Sequence, residues 1–354
     1  MERVPAEVIH LILSYLDTRD LARVATSCRV LSSRAEPLLY QNLDICLHSG
    51  NPTPATHKHL CVLSREPRLR QLIRHVAVGN AEATLWTAGH TNLLKIILST
   101  CIDCPTQIRS FSWKPTRIFI DVYFPKLTHL DCADVRSQNE IDWIQWHLVH
   151  CRHLKSLSIG SARLLSPFFS SSLFSALTAP PSLDTLSLRG IDLSYVNPAV
   201  VIGPTIRSLD LRYCAGMDAF FFEVARLGLT PKLRTFRALG IMSMALLQNF
   251  LFTLAGASHL EELSLCLGSA LHPICLHCIE PHAPALKMLI LDFRAVLQDV
   301  DSAIQYSADQ FEDILARFPR LVSLGLPLQL KDPFFDRYKR AEFKVRILAI
   351  PLPF

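Results

Sequence analysis

Residues Leu183–Leu188 read LDTLSL and residues Ile206–Leu211 read IRSLDL, two copies of one pattern, L-x-x-L-x-L. In an extended strand, the apolar residues at the fourth and sixth places share one face and the residues between them face the other way. Working outward, the pattern returns as IRHVAV, IRSFSW, LTHLDC and LKSLSI before this pair, and as LRTFRA, LEELSL, LKMLIL and LVSLGL after it. The ten copies start at residues 73, 108, 127, 154, 183, 206, 233, 260, 286 and 321. Stretches with helical character lie between several of them: EIDWIQWHLVHC, SSSLFSALTA, AFFFEVARLGL, MALLQNFLFTLAG and ADQFEDILARF. One strand and one helix cannot cover their own apolar faces, but a stack of such units can. That accounts for a chain of 354 residues that is 50% hydrophobic, only 19% charged and of mean hydropathy +0.26. The expected fold class is α/β, with strand–helix repeats stacked as a solenoid on a curved parallel sheet.

The first forty-five residues do not follow this pattern. In VPAEVIHLILSYLD, residues Val8, Ile9, Ile12, Leu13 and Leu16 fall on one face of a helix, with Pro5 in its first turn and Glu7 at the positive end of its dipole. Glu2, Glu7, His10 and Asp17 break any signal-peptide pattern. Thr18 reads as the cap of a second helix, with Asp20 in its first turn and Leu21, Val24, Ala25 and Cys28 at helical spacing. A third helix carries Leu31, Ala35, Leu38 and Leu39, with Pro37 expected to interrupt or bend it. Three such short helices cannot bury their faces alone, so a partner is implied.

This segment, VPAEVIHLILSYLDTRDLARVATSCRVLSSRAEPLLYQNL, resembles the F-box, by which substrate receptors dock on the Skp-type adaptor of cullin-based ubiquitin ligases. The resemblance implies adaptor contacts at Pro5, Ile9, Ile12, Leu16, Leu21, Val24, Cys28, Leu31, Leu39 and Tyr40. The later hexamers resemble leucine-rich repeats of the strand-plus-helix kind, whose repeats run to about 20–29 residues. The asparagine expected eight residues after the first leucine is replaced by Ala162, Ile191, Cys214, Ile241, Gly268 and Arg294. An F-box followed by such degenerate repeats, with the exit AEPLLYQNL, resembles the fungal family of these receptors. The implied organisation is an F-box at residues 1–45 and a degenerate repeat domain at 46–354. The tail KDPFFDRYKRAEFKVRILAIPLPF reads as a terminal cap ending in the strand VRILAI. The implied function is substrate recognition in an SCF-type ubiquitin ligase, with partners in the Skp-type adaptor, a cullin through it, and a protein target. The alternative is a non-catalytic scaffold acting outside any ligase.

No motif supports an enzyme or a cofactor: the phosphate loop, the dinucleotide fingerprint, H-E-x-x-H and G-x-S-x-G are all missing. In HPICLHCIEPH, His272, Cys275, His277, Cys278 and His282 are of zinc-ligand type. The repeat register instead makes this a helical or 3₁₀ turn with Ile274, Cys278 and Ile279 inward, and no metal is expected. Eleven scattered cysteines without a signal peptide read as reduced core thiols, which implies a cytoplasmic or nuclear chain. No apolar run is long enough for a membrane span, LLKIILSTCI from Leu93 included. The net charge of +5 does not call for nucleic acid, and the run Arg65, Arg68, Arg70, Arg74 reads as a solvated face. Aligning the central hexamers puts Ser158, Ser187, Asp210, Arg237 and Ser264 in one row, and Gly160, Arg189, Arg212, Leu239 and Cys266 in the next. Arg189, Arg212 and Arg237 are therefore the candidate grip on an acidic or phosphorylated target segment.

Overall fold

Each of the ten hexamers forms a strand, and each strand begins two residues after its hexamer does. The structure is a computed structural model. It describes residues 4–45, 54–79, 92, 94–98, 108–113, 122–161, 172–177, 181–240, 242–256, 260–268, 274–292, 306, 308–326 and 346–349. The chain divides into two units, Met1–Asp134 with Trp146–Leu154, and Val135–Gln145 with Lys155–Phe354.

The first unit opens with three helices, α1 (Ala6–Ser14), α2 (Thr18–Ser27) and α3 (Arg29–Tyr40). Strand β1 (Asn42–Ile45), helices α4 (Pro54–Arg65) and α5 (Pro67–Arg70), and strands β2 (His75–Val78), β3 (Ser110–Trp113) and β4 (His129–Cys132) follow. These strands are parallel and adjacent in chain order, with Asn42, His75, Ser110 and His129 in one row. The second unit holds β5 (Ser156–Gly160), β6 (Thr185–Arg189), β7 (Ser208–Arg212), β8 (Thr235–Gly240), β9 (Glu262–Leu267), β10 (Met288–Asp292), β11 (Ser323–Leu326) and β12 (Arg346–Ala349). They too are parallel and follow chain order, an open α/β solenoid-like repeat. The helices Gln138–His150, Met217–Arg226, Met244–Ala255 and Ala308–Arg317 lie where the sequence places them. The residues 170, 171, 178 and 179 of SSSLFSALTA lie outside the described residues, as does the tail apart from β12.

Packing shows why the pattern works. Leu157, Leu186, Leu209, Phe236, Leu263, Leu289 and Leu324, the fourth residues of consecutive hexamers, form one buried row. At each strand entry one carbonyl accepts two amides of the next strand: Lys155 O from Asp184 and Thr185, Asp184 O from Arg207 and Ser208, Arg207 O from Arg234 and Thr235. Every repeat therefore ties to its neighbour in the same way, the nearest-neighbour coupling of a solenoid. Where an asparagine ladder would run, the buried Cys214 thiol donates to Leu188 O at 3.4 Å and Ile191 is simply buried. Gly216 cannot be replaced freely. Its φ is +67°, and a Cβ there would lie 2.4 Å from the Ser194 backbone nitrogen.

Four local expectations need correction. Asp17, not Thr18, caps α2, its carboxylate accepting from Asp20 N at 2.8 Å; Thr18 is the first helical residue because the carboxylate reaches the amide three residues on. Pro5 stands just before α1 with extended ψ, as its N-cap. Pro37 does not interrupt α3, which runs on to Tyr40 because the proline falls only in the last turn. In the basic run, Arg70 is buried, reaching Ser64 O at 3.4 Å, because α5 turns it inward.

The cysteines sort by environment. Burial pushes the Cys151 and Cys214 thiols up to about 11 and Cys278 up to about 12, which leaves little thiolate at neutral pH. Cys28 and Cys275 are exposed. At pH 8, iodoacetamide is expected to label Cys28 and Cys275 within minutes and to label Cys151, Cys214 and Cys278 only after denaturation. Peptide mass spectrometry reads both results, and fast labelling of Cys214 in the native protein would show that its repeat is not packed as described.

Candidate functional site

The three N-terminal helices hold a small core of their own. Leu13, Leu21 and Ala35, one from each helix, are buried together, and Ile9, Leu16, Val24, Ala25, Leu38 and Leu39 pack around them half-buried. Short caps fix the chain between helices, with the Cys28 sulfur accepting from Leu31 N at 3.5 Å at the start of α3. Arg68 Nη2 of α5 donates to both carboxylate oxygens of Glu36 on α3, at 3.0 and 2.9 Å, which links the helices to the first repeat. Arg68 is largely exposed, so that pair contributes at most about 1 kcal/mol.

Helix α1 carries a second apolar stripe. Val8, Leu11, Ile12 and Tyr15 recur at helical spacing and remain in solvent, with Leu11 and Ile12 each 56% exposed and Tyr15 82%. Val4 before the helix and Val30 on α3 are exposed as well. The single face expected over Val8, Ile9, Ile12, Leu13 and Leu16 is thus two faces. Ile9, Leu13 and Leu16 turn in to α2 and α3, and Val8 and Ile12 turn out. Apolar residues surround so much of this helix that two short neighbours can cover only one side of it.

The expected adaptor residues divide accordingly. Pro5, Ile12 and Cys28 are exposed; Leu31 and Tyr40 are half-buried, the Tyr40 ring edge-on to His59 with centroids 5.9 Å apart. Ile9, Leu16, Val24 and Leu39 line the small core, and Leu21 is inside it. Leu11 and Tyr15 belong to the outer stripe although sequence reasoning passed over them. Their spacing of three and seven residues from Val8 was the available signal. A contiguous apolar stripe left in water marks an interaction surface.

The second unit shows the expected rows. Ser158, Ser187, Asp210, Arg237 and Ser264 align across β5–β9, as do Gly160, Arg189, Arg212, Leu239 and Cys266. Arg189 and Arg212 are direct neighbours, and Arg237 stands beside Asp210 in the adjacent row. All three arginines are engaged. Arg212 forks onto Asp210 at 2.7–3.1 Å, and that hydrogen bonding raises its pKa further. Arg237 reaches Glu262 at 3.0 Å, and the Arg189 guanidinium lies 5.9 Å from the Tyr213 ring centroid. Tyr213 itself holds a left-handed φ of 51°, a strained conformation for a residue with a side chain.

The Cys/His cluster folds as 3₁₀ turns, Leu276–Cys278 and Glu280–His282, with Ile274, Cys278 and Ile279 buried. The Cys278 thiol donates to Cys275 O at 2.9 Å, and His282 Nε2 donates to Leu251 O at 3.1 Å. His272 lies outside the described residues, and among those described no group of three or more His, Cys, Asp or Glu side chains is placed to hold a metal. No described helix is long and apolar enough to cross a membrane.

Comparison with known families adds one match: the model of the F-box-like family covers residues 1–46. The three helices and the exit into β1 therefore form an F-box-like domain, the module that engages Skp-type adaptors. No curated protein sequence matches the chain significantly.

Proposed function

We propose that this chain is the substrate-recognition subunit of an SCF-type ubiquitin ligase, with leucine-rich-repeat architecture behind its F-box-like domain. The outer stripe of α1 carries this reading, because an F-box-like domain that leaves Leu11, Ile12 and Tyr15 in water has a surface for the adaptor. The adaptor contact combines that stripe with Pro5 and Cys28, and Ile9, Leu16, Leu21, Val24, Leu31, Leu39 and Tyr40 shape the helices that present it. A cullin joins through the adaptor, and a protein target binds the open face of the repeat strands, where Arg189, Arg212 and Arg237 stand. The chain makes no bonds itself and supplies proximity to a ubiquitin-loaded enzyme. The exposed Cys28 and Cys275 thiols fit a reducing compartment, cytoplasmic or nuclear. The fungal likeness of the sequence enters as a lead on source alone.

Co-expression with a Skp-type adaptor tests this reading. The expected result is a 1:1 complex by light scattering that survives gel filtration. A monodisperse chain that elutes apart from the adaptor would leave the scaffold reading in its place.

A further inference from the structure

Cys275 and Cys278 stand at the two ends of one turn in opposite surroundings. Cys275 is exposed and precedes the 3₁₀ turn Leu276–Cys278 as its N-cap residue, with no side-chain hydrogen bond to that turn. Cys278 is 6% exposed and is buried beside Ile279. The Cys278 amide donates to Cys275 O at 3.2 Å, and the Cys278 thiol donates to the same oxygen at 2.9 Å. A turn closed in this way brings its end Cα atoms to within about 7 Å, and disulfides span Cα separations of about 4.4–6.8 Å. No other two of the described cysteines lie within one turn of each other along the chain.

Packing and capping do not account for the Cys275 thiol. The buried Cys151 and Cys214 act as small core side chains, their thiols donating to Phe124 O at 3.1 Å and Leu188 O at 3.4 Å. Cys28 is exposed, but its sulfur accepts from Leu31 N and so caps α3. Cys275 does neither. The turn itself is held from both sides, by His282 Nε2 donating to Leu251 O at 3.1 Å and by Arg317 Nη1 reaching Glu280 at 3.4 Å. Asp313 first, then Glu280 and the Cys275 thiolate, raise the pKa of Arg317, so Cys275 lies in the field of a fixed cation.

We propose that Cys275 and Cys278 form a peroxide-responsive dithiol, oxidised reversibly to an intramolecular disulfide. This does not depend on the receptor reading above. The Cys275 thiolate attacks one oxygen of a hydroperoxide. An S–O bond forms, the O–O bond breaks, and the departing hydroxide or alkoxide takes up a proton, which leaves Cys275 as the sulfenic acid. The Cys278 sulfur then attacks the Cys275 sulfur. The S–S bond forms, the S–O bond breaks, and hydroxide leaves with the Cys278 proton as water. The two thiols have lost two hydrogens, and the hydroperoxide has become water or an alcohol plus a second water. A dithiol reductant reverses the change by thiol–disulfide exchange.

Burial divides the two roles. The exposed thiol meets the oxidant and the buried one is shielded from it. Burial first, and then Cys275, push the Cys278 thiol up to about 12, so it holds little thiolate of its own. Fixed within one turn of the sulfenic acid, it still reacts, as an intramolecular partner at high effective concentration.

The test treats the reduced full-length chain with hydrogen peroxide near neutral pH in the presence of dimedone, which traps sulfenic acids. The chain is then denatured, remaining thiols are alkylated with N-ethylmaleimide, and peptide mass spectrometry locates each product. The segment carrying Cys275 and Cys278 is expected to lose two hydrogens and take up no maleimide, and dithiothreitol is expected to restore both alkylation sites. In Cys278→Ala, where nothing resolves the sulfenic acid, dimedone labelling of Cys275 is expected to rise about tenfold over the wild type. Cys275→Ser is expected to leave Cys278 reduced. The circular dichroism of the oxidised wild type is expected to match that of the reduced chain, since closing the turn need not move Ile274 or Ile279. Each of four results would overturn the proposal: both thiols still open to maleimide after peroxide, Cys275 paired with a different cysteine, dimedone labelling as strong in the wild type as in Cys278→Ala, or loss of structure on oxidation. The wild-type disulfide is read without any substitution, so a variant that fails to fold does not remove the test.

Discussion

Ile12→Asp is expected to leave the fold intact and to weaken adaptor binding at least a hundredfold. The side chain is 56% exposed on α1 and is not one of those packed around the buried Leu13, Leu21 and Ala35, so the change costs the isolated protein little. In the proposed complex the adaptor covers this position, and a buried unpaired carboxylate costs several kcal/mol, of which each 1.4 kcal/mol is a factor of ten. Tyr15→Ala tests the same stripe more gently, since an aromatic at an interface is a common hot spot worth upwards of 1 kcal/mol. Leu13→Asp gives the contrast. It lies one residue away but is 3% exposed, so it should unfold the three helices outright. The measurements are circular dichroism with thermal melting, and a pull-down against the Skp-type adaptor. Wild-type recovery of the adaptor by folded Ile12→Asp would show that α1 does not face it.

The repeat strands were legible because their signal is a strict alternation repeated ten times. Each hexamer fixed its own register, so simple counting aligned Arg189 with Arg212 and Asp210 with Arg237. Counting does not show where a long side chain goes. Nothing in the hexamers says that Arg237 leans across to Glu262 or that Arg189 lies over Tyr213. The N-terminal helices were legible as helices and not as surfaces. Val8, Leu11, Ile12 and Tyr15 are as apolar as Ile9, Leu13 and Leu16, and a pattern carrying apolar residues on both sides does not say which side its own neighbours cover. Arg70 is a different case. A charged residue in a four-residue helix has no period to reveal that it turns inward.

Phe250→Ala is expected to destabilise the second unit by about 3–5 kcal/mol, while Phe252→Ala, two residues on, stays within about 0.5 kcal/mol. Phe250 is 2% exposed and Phe252 57%, although both stand on the helix Met244–Ala255. The Phe250 ring lies 4.5 Å from that of Phe221 on the helix Met217–Arg226 and 5.2 Å from that of Phe236 on β8. Phe221 and Phe236 in turn meet edge-on at 5.9 Å. These three rings join two successive helices to the strand between them, so truncating one leaves a cavity on both sides of a repeat boundary. In a solenoid, stability is close to a sum of repeat terms and nearest-neighbour interface terms, and Phe250 contributes to both, packing on Phe236 within its own repeat and on Phe221 across the boundary. Its loss should therefore also lower the steepness of urea unfolding, as the repeats before and after the boundary begin to unfold separately. Urea titration of both variants, followed by circular dichroism, measures the midpoint and the slope together. A Phe250→Ala protein that loses less than about 1 kcal/mol would mean that the rings do not couple the two repeats.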